Sequence, residues 1–175
     1  MTLEMGTTAR HHNILQEIYW KIRTFLNNMP VPAHIFVEQL NLCYMGERKE
    51  LDSIELLDAK NTKLDDDTIN RLYVVQPDIM FFHFNPFYTN KIQTRFVGRP
   101  DLLIEVWSDS NSDRDKLFKK KLYSTSDTTE HWYIEQNSNE VECWFSDKQL
   151  PYQNLNNILK TQQNIEIDLR YLALD

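Results

Sequence analysis

The order of elements predicts one mixed α/β domain, and three observations predict it: a long amphipathic segment at the start, two apolar strand-like runs with a helix close behind them, and a strand pair near the end. The first is the segment from His11 to about Asn28, where Ile14, Leu15, Ile18, Tyr19, Ile22, Phe25 and Leu26 recur at helical spacing. Pro30 and Pro32 close it. HIFVEQLNLCYM reads as a strand with Leu40, Leu42 and Tyr44 on one side. Residues 46–70 are polar, acid-rich and without clean period, a long connection with room for a helical turn and the natural place for an insertion. VVQPDIMFFHF and RPDLLIEVWS follow as two strands expected to pair. After Ser108, DSNSD offers helix-capping residues, and DRDKLFKKKLYS continues as a helix of about three turns. EHWYIEQ and EVECWFS, separated by Asn137-Ser138-Asn139, form a hairpin, and NIEIDL is a last strand.

With 175 residues, 41% hydrophobic and 26% charged, the chain reads as a single globular domain over residues 1–175. No window approaches the ~18 apolar residues of a membrane span, and MTLEMGTTARHH lacks the basic-then-apolar profile of a secretory signal, so a cytoplasmic protein without a membrane partner is expected. Cys43 and Cys143 lie in strand-like runs without ligand spacing and read as small buried hydrophobes. The net charge of −7 argues against indiscriminate binding to nucleic acid. Yet five of the 19 basic residues, Arg114, Lys116, Lys119, Lys120 and Lys121, fall within eight positions, which is either a local basic patch or a solvated helix face.

The two strand-like runs carry acids where apolar residues belong. Alternation puts Asp78 on the face of Met80 and Phe82, and aligns Asp101, Leu103, Glu105 and Trp107. A carboxylate in an apolar strand costs on the order of several kcal/mol unless it is paired, hydrogen-bonded or bound to a cation. Two such strands side by side ask for a shared partner, and a divalent metal serving phosphodiester cleavage is the economical one. On a helical wheel Phe118, Leu122, Asp115, Lys119 and Tyr123 form one arc, with Lys116 and Lys120 pointing away. Lys119 is then the lysine aimed inward, able to hold a water or neutralise charge on a phosphate, with Asp115 orienting it. The competing reading is an Asp115–Lys119 surface pair worth about 0.3–0.5 kcal/mol.

VVQPDIMF, RPDLLIEVWS, the ladder Asp115, Lys119 and Tyr123, and EHWYIE followed by EVECWF together resemble the Uma-two family of putative restriction endonucleases, a branch of the PD-(D/E)xK nuclease superfamily. The resemblance runs from the first helix to the last strand, with residues 46–70 as its main gap. It implies a restriction-endonuclease-like α/β fold, a central mixed β-sheet flanked by helices, and hydrolysis of DNA with Mg²⁺ or Mn²⁺. Asp78 and Glu105 match the two acids that hold the metal, and Lys119 matches a lysine on the following helix. Asp101 and His11 are accessory candidates by the same resemblance, Asp115 by its place on the wheel and Glu17 by its place on the first helix, and His11 also has a structural role open to it. Three positions depart from the pattern. Trp107 stands where the wider superfamily has its lysine, Ser108-Asp109-Ser110-Asn111 replaces Ser-Pro-Ser-Thr, and SDTTEHW replaces a glycine-containing turn.

Two rival readings stay open. One is a degenerate member that binds nucleic acid or protein without cutting; the other is a homo-oligomeric interaction protein, such as a homodimer, whose acids pair with basic groups across an interface. Trp20, Trp107, Trp132 and Trp144 are expected in the core rather than as base-stacking groups. Phe84, Phe87 and Tyr88 are candidates for nucleic-acid or oligomer contact.

Overall fold

In the computed structural model, which describes residues 9–28, 33–37, 41–44, 73–82, 95–97, 100–126 and 129–174, the first helix, α1, spans Ala9–Asn27. Its buried residues Ile14, Leu15, Ile18, Ile22 and Leu26 follow the helical period, so one apolar stripe faces the sheet. Asn28 ends it by bonding back to the carbonyls of Thr24 and Phe25. Trp20 lies on the opposite side of this stripe and is 56% exposed, edge-on to Tyr19, so the expected core role fails for it. Trp107 and Trp132 are buried as expected, and Trp144 is half-buried.

Strands β1 (His34–Val37), β2 (Asn41–Tyr44), β3 (Tyr73–Val75), β4 (Ile79–Phe82), β5 (Arg95–Val97) and β6 (Leu102–Trp107) precede helix α2 (Asp113–Tyr123). After it come β7 (Glu130–Glu135), β8 (Glu140–Phe145), β9 (Lys148–Gln149), β10 (Gln153–Asn154), β11 (Ile158–Lys160), β12 (Glu166–Asp168) and a short 3-10 turn at Arg170–Leu172. Among the described residues the main sheet has seven strands in the order β1-β4-β6-β7-β8-β10, with β9 beside β8. The expected pairing of the acidic strands is there: β4 lies antiparallel to β6, with Ile79 opposite Ile104. β6 and β7 run parallel, and α2 supplies the crossover that such a pair requires. The sheet is therefore mixed.

Two expected single strands are each divided between two sheets. HIFVEQLNLCYM forms β1 in the main sheet and β2 in a small sheet ordered β3-β2-β5, and VVQPDIMFFHF forms β3 there and β4 in the main sheet. The second break falls at Gln76-Pro77-Asp78, where Pro77 has no N–H to give a ladder. β9, β10 and β11 are short strands that carry too few residues for a period to be read. The expectations for residues 46–70, for Phe84, Phe87 and Tyr88, for Pro30 and Pro32, for Leu40 and for the Cys43 side chain lie outside what the structure describes.

Alternation along β6 assigns the two faces of the sheet. Leu102, Ile104 and Val106 join Ile79, Phe81, Trp132, Ile134 and the stripe of α1 in one large apolar core. Leu103 and Trp107 point the other way, with Met80, Phe82, Tyr133 and the α2 residues Leu122 and Tyr123. Glu105 belongs by position to this second face. Among the described residues no helix is long and apolar enough to cross a membrane.

Candidate active site

Glu105 sits in the middle of a strand whose six residues are all buried, and its side chain is only 2% exposed. Burial of an ionised carboxylate at that depth requires donors, and two converge on it from α2. The Lys119 ammonium donates to Oε2 at 2.8 Å, and the Tyr123 hydroxyl donates to Oε1 at 2.6 Å. Residues 119 and 123 are one helical turn apart on α2, so both reach the same strand position. Burial pushes the Glu105 carboxyl up to about 7, the Lys119 charge opposes that rise, and the Asp78 charge adds to it. The Tyr123 hydroxyl is driven well above the ordinary tyrosine range, by burial and by the Glu105 charge.

Asp78 arrives from β4. Since Ile79 faces Ile104 in the antiparallel register, the preceding residue comes alongside Glu105. Asp78 Oδ2 accepts the Val106 N–H at 2.7 Å and stands 3.7 Å from His11 Nε2. Its side chain is 22% exposed and that of Lys119 14%, so the cluster opens to solvent through these two and is closed behind Glu105. Lys119 Nζ also lies 3.5 Å from the Gln76 carbonyl, in the break between β3 and β4.

The positioning helix is built by local signals. Ser112 Oγ accepts the Asp115 N–H as the N-cap, Asp113 and Asp115 occupy the first turn, and Lys120 and Lys121 the last, each sign matched to the helix dipole. The departure at Ser108-Asp109-Ser110-Asn111 makes a closed turn: Asn111 N–H donates to the Ser108 carbonyl, and Asn111 Oδ1 accepts the Ser108 N–H.

Asp78, Glu105, Lys119 and His11 are thus brought together, and the remaining candidates are not. Asp101 stands at the other end of β6, four residues and about 13 Å of strand from Glu105. Glu17 turns its carboxylate to the Tyr171 hydroxyl. Asp115 lies in the first turn of α2 with its N–H capped by Ser112, and among the described residues no ion pair joins it to Lys119. The expected arc of α2 is also rotated. Phe118 is 42% exposed, whereas Lys116 and Lys120 face the sheet, their amines 5.1 and 5.2 Å from the Trp107 ring and paired with Glu135 and Glu142. Three of the five basic residues of the cluster are consequently paired with carboxylates, leaving Arg114 and Lys121 on the exposed side. Tyr123 was legible only as a ladder position without a role; the Val106 N–H and the Gln76 carbonyl are backbone groups with no signal in the sequence.

Two carboxylates beside each other offer hard oxygen donors, which suit Mg²⁺ or Mn²⁺, and such ions keep several waters and need only one or two direct acids. Among the described residues no group of three or more His, Cys, Asp or Glu side chains gathers as a ligand cage. The residues fit a cation held in part by water.

A comparison with curated proteins gives no match. Among solved structures, one described as a putative nuclease belonging to DUF820, from Anabaena variabilis ATCC 29413, is similar with a TM-score of 0.64 and 16% sequence identity, over 96% of this chain and 84% of that one. That likeness shows a shared nuclease-like fold. The Uma2 family model, described as "Putative restriction endonuclease", matches residues 54–174. The match starts beyond α1, so His11 and Glu17 lie outside it. Because it nevertheless spans more than half of the sequence, the chain belongs to the Uma2 family of putative restriction endonucleases.

Proposed function

We propose that the chain is a divalent-metal-dependent endonuclease that hydrolyses DNA phosphodiesters, with Asp78 and Glu105 holding Mg²⁺ or Mn²⁺ and Lys119 as the electrostatic catalyst. One observation carries the reading: the Lys119 amine, from a helix 14 residues on, lies 2.8 Å from Glu105 and so supplies the positive charge that Trp107 cannot. Membership of a restriction-endonuclease family supports the substrate class. Asp78 and Glu105 would hold the cation, which would supply Lewis-acid polarisation of the phosphate and a more acidic water. The chain's own residues prepare that chemistry. The Val106 N–H holds Asp78 in place, and His11 braces it from α1. Lys119, the partly exposed cation of the group, is positioned to neutralise the charge that builds on the scissile phosphate.

Supercoiled plasmid incubated with the protein and Mn²⁺ tests the proposal. Wild type is expected to nick or linearise it, Asp78→Ala and Glu105→Ala to lose that activity, and Lys119→Met to slow it by roughly 10²–10³-fold, the usual worth of one electrostatic stabiliser. Equal survival of the plasmid with wild type and Glu105→Ala, across metals and salt, overturns it. A fold that binds without cutting is the second reading, favoured by the fact that both Glu105 oxygens already have protein partners. In that case Mn²⁺ titration leaves the protein unchanged. The homo-oligomeric reading needs the acids to pair across an interface, and gel filtration tests it; within the chain, Glu105 has the Lys119 ammonium at 2.8 Å.

A further inference from the structure

Tyr123 takes no part in the chemistry described above, yet it is completely buried, at 0% exposure, and spends its one hydroxyl proton on Glu105 Oε1 at 2.6 Å. Its ring is fixed by the second apolar cluster, among Met80, Leu103, Trp107 and Tyr133, and lies edge-on to His131 at 6.2 Å. A phenol pinned in this way has little freedom to follow a moving carboxylate. Oε2 is the oxygen on the side of Lys119, whose side chain reaches solvent. The two oxygens of one carboxylate therefore have different surroundings: Oε1 meets the hydroxyl of a fully buried aromatic ring, and Oε2 meets the partly exposed Lys119.

Resting on the nuclease reading, we propose that Tyr123 is a positioning residue that ties down Oε1 of Glu105 and leaves Oε2 as the single oxygen offered to a divalent cation, in exchange for the Lys119 ammonium that donates to it. The exchange frees the lysine as the cation arrives, so one carboxylate oxygen links metal binding to release of the catalytic charge. A partner that orients a metal-binding side chain typically affects affinity by roughly 10- to 100-fold when it is removed.

Isothermal titration with Mn²⁺, on the full chain without DNA, reads this directly. Tyr123→Phe, which keeps the ring and removes only the hydroxyl, is expected to retain the far-ultraviolet dichroism of wild type and to bind Mn²⁺ roughly 10- to 100-fold more weakly. Lys119→Met, which removes the competitor for Oε2, is expected to bind more tightly than wild type. A folded Tyr123→Phe that binds Mn²⁺ as wild type does overturns the positioning role while leaving the nuclease reading standing; a wild-type chain that binds no Mn²⁺ overturns both. Infrared difference spectra on adding Mg²⁺ to wild type provide a readout independent of the variant's folding. The carboxylate bands that vanish in Glu105→Gln should carry the wide splitting of one-oxygen coordination, and a narrow, two-oxygen splitting refutes the proposal.

Discussion

Glu130, on the α1 face of the sheet, shows what a buried acid does here when no function is asked of it. It accepts the Trp132 indole N–H at 2.7 Å and the Gln162 backbone N–H at 2.8 Å, tying β7 to the turn that precedes β12. Burial raises its carboxyl to about 7 despite both donors. Between pH 4.5 and 7 the folded chain thus keeps a proton that the unfolded chain has released, so stability from this group falls as pH rises through that window. His131 acts in the opposite sense. Burial lowers it to about 4, the unfolded chain takes up the proton first, and stability falls as pH drops below 6.5. Glu105 shares the window of Glu130, so only a difference measurement isolates one acid. Glu130→Gln is expected to gain on wild type by up to about 3 kcal/mol between pH 4.5 and pH 8, in urea unfolding followed at each pH. A constant difference across that range refutes the assignment. For Glu105 the helical wheel pointed to Lys119 but gave no role to the Tyr123 hydroxyl, and for Glu130 the sequence offered no partner. The alternation of RPDLLIEVWS placed Glu105 on the face of Leu103 and Trp107, as found, because the period of a strand is fixed by its pleat. What donated to it was set by a helix whose rotation the sequence left open.

That rotation is an element-scale fact. α2 buries only Leu122 and Tyr123, so its sequence carries a weak apolar stripe, and the wheel drawn through Phe118 and Leu122 includes Lys119 and Tyr123 of the docking face but leaves out Lys116 and Lys120. The docking face is 116, 119, 120 and 123, three lysines and a tyrosine, each meeting a carboxylate or an aromatic ring of β6, β7 or β8. Lysine stems can cover apolar surface while their amines find partners, and apolar periodicity cannot register that arrangement. The pairs are unequal. Lys116–Glu135 joins groups 19% and 48% exposed, so solvent screens it, and Lys116→Ala should change stability by less than about 1 kcal/mol. The cap matters more for a helix with so little apolar anchorage. Ser112→Ala removes the acceptor of the Asp115 N–H and should cost about 1 kcal/mol, read as a lower urea midpoint with an unchanged slope. If Lys116→Ala proves the costlier of the two, α2 is held by its charges more than by its cap.

At the scale of the whole molecule, the two faces of one sheet divide the work. The α1 face is apolar almost throughout, from Ile14 and Ile18 on the helix to Ile104, Trp132 and Ile167 beneath, and its helical and strand periods were both legible in the sequence because packing there leaves a clean pattern. The α2 face carries the lysines, the acids and most of the corrections, which is where local rules are expected to yield to a site. If the Glu105, Lys119 and Tyr123 cluster is kept for chemistry, it should be costly to the fold. Removing two charges and a polar hydroxyl together avoids leaving any of them unpaired, and replacing a buried ion pair by apolar residues of similar volume is often neutral or stabilising by about 1–4 kcal/mol. The combined variant Glu105→Leu, Lys119→Met, Tyr123→Phe is therefore expected to fold, to unfold at a urea concentration no lower than wild type, and to lose Mn²⁺ binding and plasmid cleavage. Loss of several kcal/mol in that variant would mean that the cluster is part of what holds α2 on the sheet, and the case for a catalytic centre would pass to the fold that binds without cutting. The single variant Glu105→Leu should behave differently, since it strands the buried Tyr123 hydroxyl and leaves Lys119 without its partner. A triple variant more stable than that single one separates a site maintained against the fold's interest from an ion pair the fold requires.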